Sequence, residues 1–182
     1  MYSKLVITAA IAAALGFASL QASAAQTDPG EHAEAMATRS AKITPTRAVT
    51  IAERGGGTAY GFGMESQGSG HWYEVDMLRH GHPMVVRIDS NSGHVLGSSP
   101  ARGDDKAGAH ALDHANLKLG PAIATAERAA HNPAMEANAT GSGASAAVIV
   151  DISAPRGIQH YKVTGQGGQL HATRIAHDPT GG

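Results

Sequence analysis

The second half of this 182-residue chain repeats the pattern of the first. A shift of 75 residues places Tyr73, Val75, Asp76 and Met77 on Val148, Val150, Asp151 and Ile152. The same shift puts Val86, Arg87 and Ile88 on Tyr161, Lys162 and Val163, and Gly93 and Val95 on Gly168 and Leu170. With one residue removed from the connection, residues 48–54 fall on residues 122–128, and Pro45 and Pro121 both stand near a helix start. Positions expected on a buried face stay apolar in both halves, which points to one supersecondary unit used twice. The predicted fold class is α+β: two tandem repeats, each a short helix packed on an antiparallel meander of about four strands.

Within the first unit, Thr44 can cap a helix, Pro45 suits its first position and the Gly55-Gly56-Gly57 run ends it. Ala48, Val49, Ile51 and Ala52 then form its apolar face. Tyr60, Phe62 and Met64 alternate with glycines in a first strand, and Tyr73, Val75 and Met77 alternate with acidic residues in a second. His80-Gly81-His82-Pro83 interrupts the period. Met84, Val86 and Ile88 resume it, and Asn91-Ser92-Gly93 turns the chain into a strand starting at Val95.

The remaining segments carry weaker order signals. Residues 1–24 have Lys4, an apolar run and Ala22-Ser23-Ala24, the layout of a secretory signal peptide. The expected divisions are a flexible leader over 25–41, repeats over 42–99 and 117–177, a linker over 100–116 and a tail over 178–182. A soluble periplasmic or secreted protein follows, with no membrane insertion once the signal is removed. The chain has no cysteine, so neither a disulfide framework nor thiol chemistry is open to it. A formal charge of −1 without basic clustering argues against nucleic acid as a partner. The pattern leaves the oligomeric state open.

Residues 43–52, then Trp72-Tyr73-Glu74-Val75, then residues 86–96 with Asp89 and Gly93, resemble the PepSY domain in its short helix, Tyr-x-Val strand and Asp-x-x-x-Gly ending. Residues 121–175 resemble it less closely, with Val148 in place of Tyr73. The resemblance implies a non-catalytic module that binds a protein or peptide, including a peptidase that it inhibits or regulates. No His-Glu-x-x-His is present, so such a peptidase lies on another chain.

Nucleophile elbows, phosphate loops and dinucleotide fingerprints are also absent, and the chain is not read as an enzyme. Glu53 and Glu127, beside Arg54 and Arg128, are expected on solvated helix faces with local ion pairs. A partner is expected at an open sheet edge or hairpin tip, with Trp72, Tyr73, His80 and His82 as contacts. Trp72 must face away from Tyr73, either towards a partner or into the seam between repeats, and the seam is favoured. No cofactor is expected beyond a weakly held divalent metal, the basis of an alternative reading as a metal-binding or metal-stress protein. Its ligands would come from His71, Asp89 and His94 at one end of the sheet, and from His160 and His171. The last two become diagonal neighbours, roughly 7–8 Å apart, if Gly165 pairs with Gly168.

Overall fold

The computed structural model describes residues 29–113 and 115–176. The expected signal peptide and the tail lie outside them. Three helices, α1 (Pro29–Ser40), α2 (Pro45–Glu53) and α3 (Leu119–Ala130), accompany eight strands. The first four are β1 (Thr58–Gln67), β2 (Gly70–Arg79), β3 (His82–Asp89) and β4 (Val95–Pro100). The others are β5 (Ala134–Thr140), β6 (Ala147–Ala154), β7 (Gly157–Gln166) and β8 (Gln169–Ile175).

All eight strands form a single antiparallel sheet in the order β4-β3-β2-β1-β5-β6-β7-β8. Each half is a helix followed by a four-stranded meander, and the halves join where β1 pairs with β5 through Gly61, Phe62 and Gly63 against Asn138, Ala137 and Glu136. Gly61 and Gly63 open one face of this seam, whereas Phe62 and the small Ala137 face α2 and α3, which meet above it with Gly120 facing Val49. Val49, Ala52, Ala122, Ile123 and Ala126 are buried there over Tyr73, Val75, Val148 and Val150. The helix start at Thr44 is as expected, its hydroxyl accepting from the Arg47 N–H at 3.3 Å. In α3 the helix begins two residues before Pro121 and its N-cap, Lys118, makes no side-chain cap.

The first strand of each half carries a bulge, between Ala59 and Gly61 in β1 and between Ala134 and Glu136 in β5. The extra residues, Tyr60 and Met135, are buried. Just before each bulge, a glutamate from the preceding helix accepts the backbone N–H at the strand's start. Glu53 takes that of Ala59 at 3.2 Å, and Glu127 that of Ala134 at 3.0 Å. These two glutamates therefore clamp helix to strand, where solvated ion pairs were expected. Burial holds the Glu127 carboxyl above its ordinary pKa, opposed by the Ala134 hydrogen bond.

Two segments expected to be loose are built into the fold. Residues 29–40 form α1 on the sheet face opposite α2 and α3. Ser153 projects there, alternating with the inward Val150 and Ile152; its hydroxyl donates to the Ala35 carbonyl at 3.0 Å and accepts from the Arg39 guanidinium at 2.7 Å. Ala35, Ala37 and Thr38 are buried beneath α1, and this tertiary contact holds a helix whose own apolar pattern is weak. The stretch between the halves includes a 3-10 turn, Gly103–Lys106, and buries Ala111, Leu112 and Leu117 in the common core. Tyr60 anchors it by donating its hydroxyl to the Asp105 carbonyl at 2.6 Å.

Replacing Glu53 or Glu127 by Ala leaves a strand N–H without its partner, and each change is expected to cost about 1–3 kcal/mol. Urea unfolding checks this, and a cost near zero for both would show that water replaces the clamp.

Candidate functional site

The face bearing α1 is organised by strand register. Counting across the sheet, Arg87 stands opposite Glu74, Glu74 opposite Gly63, Gly63 opposite Glu136, Glu136 opposite Asp151, and Asp151 opposite His160. One transverse row of polar groups thus spans β3 to β7. Glycines open its centre: a Cβ on Gly61 would stand 2.5 Å from the Asp76 carboxylate, so only glycine leaves room for it.

Between α1 and the 3-10 turn, this row floors a cavity of about 250 Å3. Among the described residues six carboxylates line it: Glu34 from α1, Glu65 from β1, Glu74 and Asp76 from β2, Asp105 from the turn and Glu136 from β5. Arg87 offsets part of that charge, donating to Glu74 Oε1 at 2.7 Å. Trp72 donates its indole N–H to the same oxygen at 3.1 Å, and the Arg87 guanidinium lies over the indole ring at 5.8 Å. Asn138 donates to Glu136 Oε1 at 2.6 Å. Burial, and then the charges of Asp105, Glu74 and Glu136, push the Asp76 carboxyl up from 3.8 to about 7. Burial, then Glu74, also raises Glu65. The cavity can therefore hold a proton near neutral pH.

At the β4 edge the sheet has a different character. Every residue of β4 is exposed, and Val95 and Leu96 retain 55% and 58% of their accessible surface. Residues 95–99 carry no charge to repel an added strand; of the devices that blunt an edge, β4 has a bulge at Leu96 and a proline at its end, Pro100. At the other edge, β8 carries His171 and Arg174. Where β4 ends, a second cavity of about 500 Å3 is lined by Arg79, His80, His82 and Lys106 with Pro83, Met84, Pro100 and Ala101.

The expected contact residues therefore separate. His80 and His82 lie at the exposed β2–β3 hairpin tip beside the second cavity. Trp72 is half-buried on the α1 face and not in the seam between halves, because its parity in β2 is opposite to that of Tyr73. Tyr73 is buried under α2 against Phe62, ring centroids 5.1 Å apart, and its hydroxyl donates to the Ile43 carbonyl at 2.7 Å. A partner cannot reach it, so its role is in the core.

The histidines expected to hold metal are placed as follows. Ser90 donates its N–H to the His71 carbonyl and Asp89 donates to that of His94, so His71, Asp89 and His94 share one end of the sheet. Asp89 Oδ1 is engaged by the Asn91 and Ser92 amides and the Ser92 hydroxyl, and these bonds, that of the hydroxyl foremost, lower its pKa. The His71 ring is hydrogen-bonded to the Ser66 hydroxyl at 2.9 Å. In the second half the register differs from that expected: Gly165 pairs with Leu170, so His171 stands opposite Thr164 and His160 opposite Ile175. That separates the two by about four residues along the strands, roughly 13 Å, too far for one ion. The turn closes as Gln166 against Gln169 around Gly167 and Gly168, both with positive φ, which lengthens the hairpin by one pair. His160 instead meets Asp151 Oδ1 at 2.7 Å on the transverse row. Among the described residues, no three His, Asp or Glu side chains are grouped to hold a metal ion.

Comparisons with known proteins leave this arrangement without a family. No family model matches the chain, and no curated protein matches it. A crystal structure from Clostridium difficile, described as "a putative lipoprotein", is 15% identical, covering 74% of this chain and 95% of its own with a TM-score of 0.41. Among the described residues, no helix is long and apolar enough to cross a membrane.

A carboxyl whose pKa is higher in the folded chain than in the unfolded one favours the fold while it is protonated. For Asp76 that contribution is full below about pH 4 and is lost as pH rises through about 7. Stability should therefore fall across that interval, and Asp76→Asn should flatten the fall and be the more stable protein at pH 8. Urea midpoints measured from pH 4 to 8 check the sign, and parallel curves for the two proteins would show that Asp76 ionises normally.

Proposed function

We propose that this chain is a non-catalytic exported binding protein, made of two copies of one helix-and-meander module, that takes an extended segment of a protein partner along the free edge of β4. The observation that carries the reading is the exposure of β4 along its whole length, with Val95 and Leu96 uncovered and no charge to repel an added strand. Strand addition satisfies the outward backbone groups of an edge, and alternate side chains supply selectivity. Support for two copies comes from the strand order, which reads outward from the centre as 1-2-3-4 and 5-6-7-8, and from the equivalent clamps made by Glu53 and Glu127. The PepSY resemblance supports a peptidase of the periplasm as the partner, restrained when one of its extended segments is held against β4.

Capture of a specific protein from periplasmic extract by residues 25–182, with β4 amides gaining protection from hydrogen exchange in the complex, is the expected result. Leu96→Lys with Ser98→Lys should lower capture at least about tenfold, while like substitutions on β8 leave it unchanged. Equal capture by the β4 variant, or protection confined to other strands, would sink the reading.

A further inference from the structure

The cavity at the Pro100 end of β4 carries a charge pattern opposite to that of the carboxylate-lined cavity. Arg79 and Lys106 bring fixed positive charge, His80 and His82 bring ring nitrogens, and none of the eight described residues that line it is acidic. The sign changes within one peptide unit of the 3-10 turn, since Asp105 lines the acidic cavity and Lys106 this one. Arg79 is held in place by its Nε, which donates to the Gly56 carbonyl at 3.1 Å. The remaining walls, Pro83, Met84, Pro100 and Ala101, are of a kind to surround an aliphatic side chain.

The hairpin that supplies the histidines is built in an uncommon way. His80 and Gly81 form a two-residue loop between β2 and β3, and both have positive φ, 49° and 79°. Asn-Gly is the usual choice for such a loop; histidine, like asparagine, is among the few side chains enriched at positive φ. A histidine at that position places an imidazole at the cavity.

Its position relative to β4 then sets a direction. Pro100 and Ala101 belong both to the cavity wall and to the end of β4, where the Ala101 N–H bonds to the Pro83 carbonyl. A strand added outside β4 thus has one of its ends at this cavity. An antiparallel strand arriving with its amino terminus would bring a positive charge against Arg79 and Lys106. A parallel strand ending here brings a carboxylate, which a guanidinium and an ammonium bind through charge-assisted hydrogen bonds. β4 ends at Pro100 and the chain turns into the 3-10 turn that carries Lys106, so an added strand finds no further β4 backbone to pair with.

Resting on the strand-addition reading above, we propose that this cavity receives the C-terminal carboxylate and last aliphatic side chain of a partner, so that β4 captures a free C-terminal tail running parallel to it. The protein then selects chain ends over internal loops.

The test uses a library of acetylated hexapeptides ending in Val, Leu or Ile with a free carboxylate, the same library amidated, and an amidated set bearing a penultimate Glu. Binding is read by fluorescence anisotropy and by exchange protection of the β4 amides. Free-acid peptides should bind and protect β4, and amidation should weaken binding about 10- to 100-fold. Lys106→Gln should produce a loss of similar direction without changing the urea midpoint. Arg79→Gln should act likewise, although it also removes the bond to Gly56, which is why Lys106→Gln is the deciding variant. If amidated peptides bind equally while protecting β4, the carboxylate site is overturned and the edge reading stands. If the Glu set matches the free acids, a side-chain carboxylate is the ligand and chain-end selection is overturned. If no peptide protects β4, both fall together.

Discussion

The pairing of β1 with β5 is the contact on which the rest of the molecule depends. A single helix on four strands buries too little apolar surface to be secure alone, whereas joining two such halves edge to edge lets α2 and α3 share one core. On the helix side of the join Phe62 lies opposite the small Ala137, and Gly120 against Val49 lets α2 and α3 close over it; Gly61 and Gly63 belong to the other face. Joining the halves at β1 and β5 removes two edges from exposure and leaves β4 and β8 as the ends of the sheet. The open edge of β4 is thus a consequence of the same pairing that forms the core.

The two faces of the sheet have divided the chemistry between them. Burial under α2 and α3 selects an apolar lining, and Tyr73 belongs to that side despite its polar hydroxyl, which finds the Ile43 carbonyl. The other face collects carboxylates in a row, with α1 and the 3-10 turn as banks. Close carboxylates in a partly dry hollow cannot all stay ionised cheaply, and burial, then Asp105, Glu74 and Glu136, push Asp76 up to about 7. The glycines of β1, which weaken it as a strand by propensity, are there to make room for that group.

Much of the local structure was legible because it rests on short-range rules. Thr44 and Pro45 mark the start of α2, the alternation from Tyr73 to Ile88 marks β2 and β3, and Asp89 to Gly93 marks the turn after them. Less legible were features that depend on a distant partner. α1 has a weak apolar pattern of its own and is ordered by Ser153, more than a hundred residues away. The segment after Pro100 looks like a polar linker, yet Leu112 and Leu117 reach the core and Tyr60 holds Asp105. Glu53 and Glu127 look like surface charges because nothing in a helix pattern indicates that the next strand will present an N–H to them. The paired position of these glutamates in the two halves was a signal that could have revealed the clamp.

By itself the sequence determined the α+β class, the helix-then-meander order and the parity of β1 to β3 and, through the repeat, of β6 and β7, since caps, turn residues and period-two alternation act over a few residues. Only the tertiary structure decided that the two meanders form one sheet, that α1 crosses its far face and that six carboxylates meet in a single hollow. It also decided the register that parts His160 from His171. A shift of one pair in a Gly-rich hairpin costs little locally, and the choice is made by packing against the whole sheet. The same dependence governs β4, whose six residues resemble any short strand until the order of the sheet leaves them at its edge.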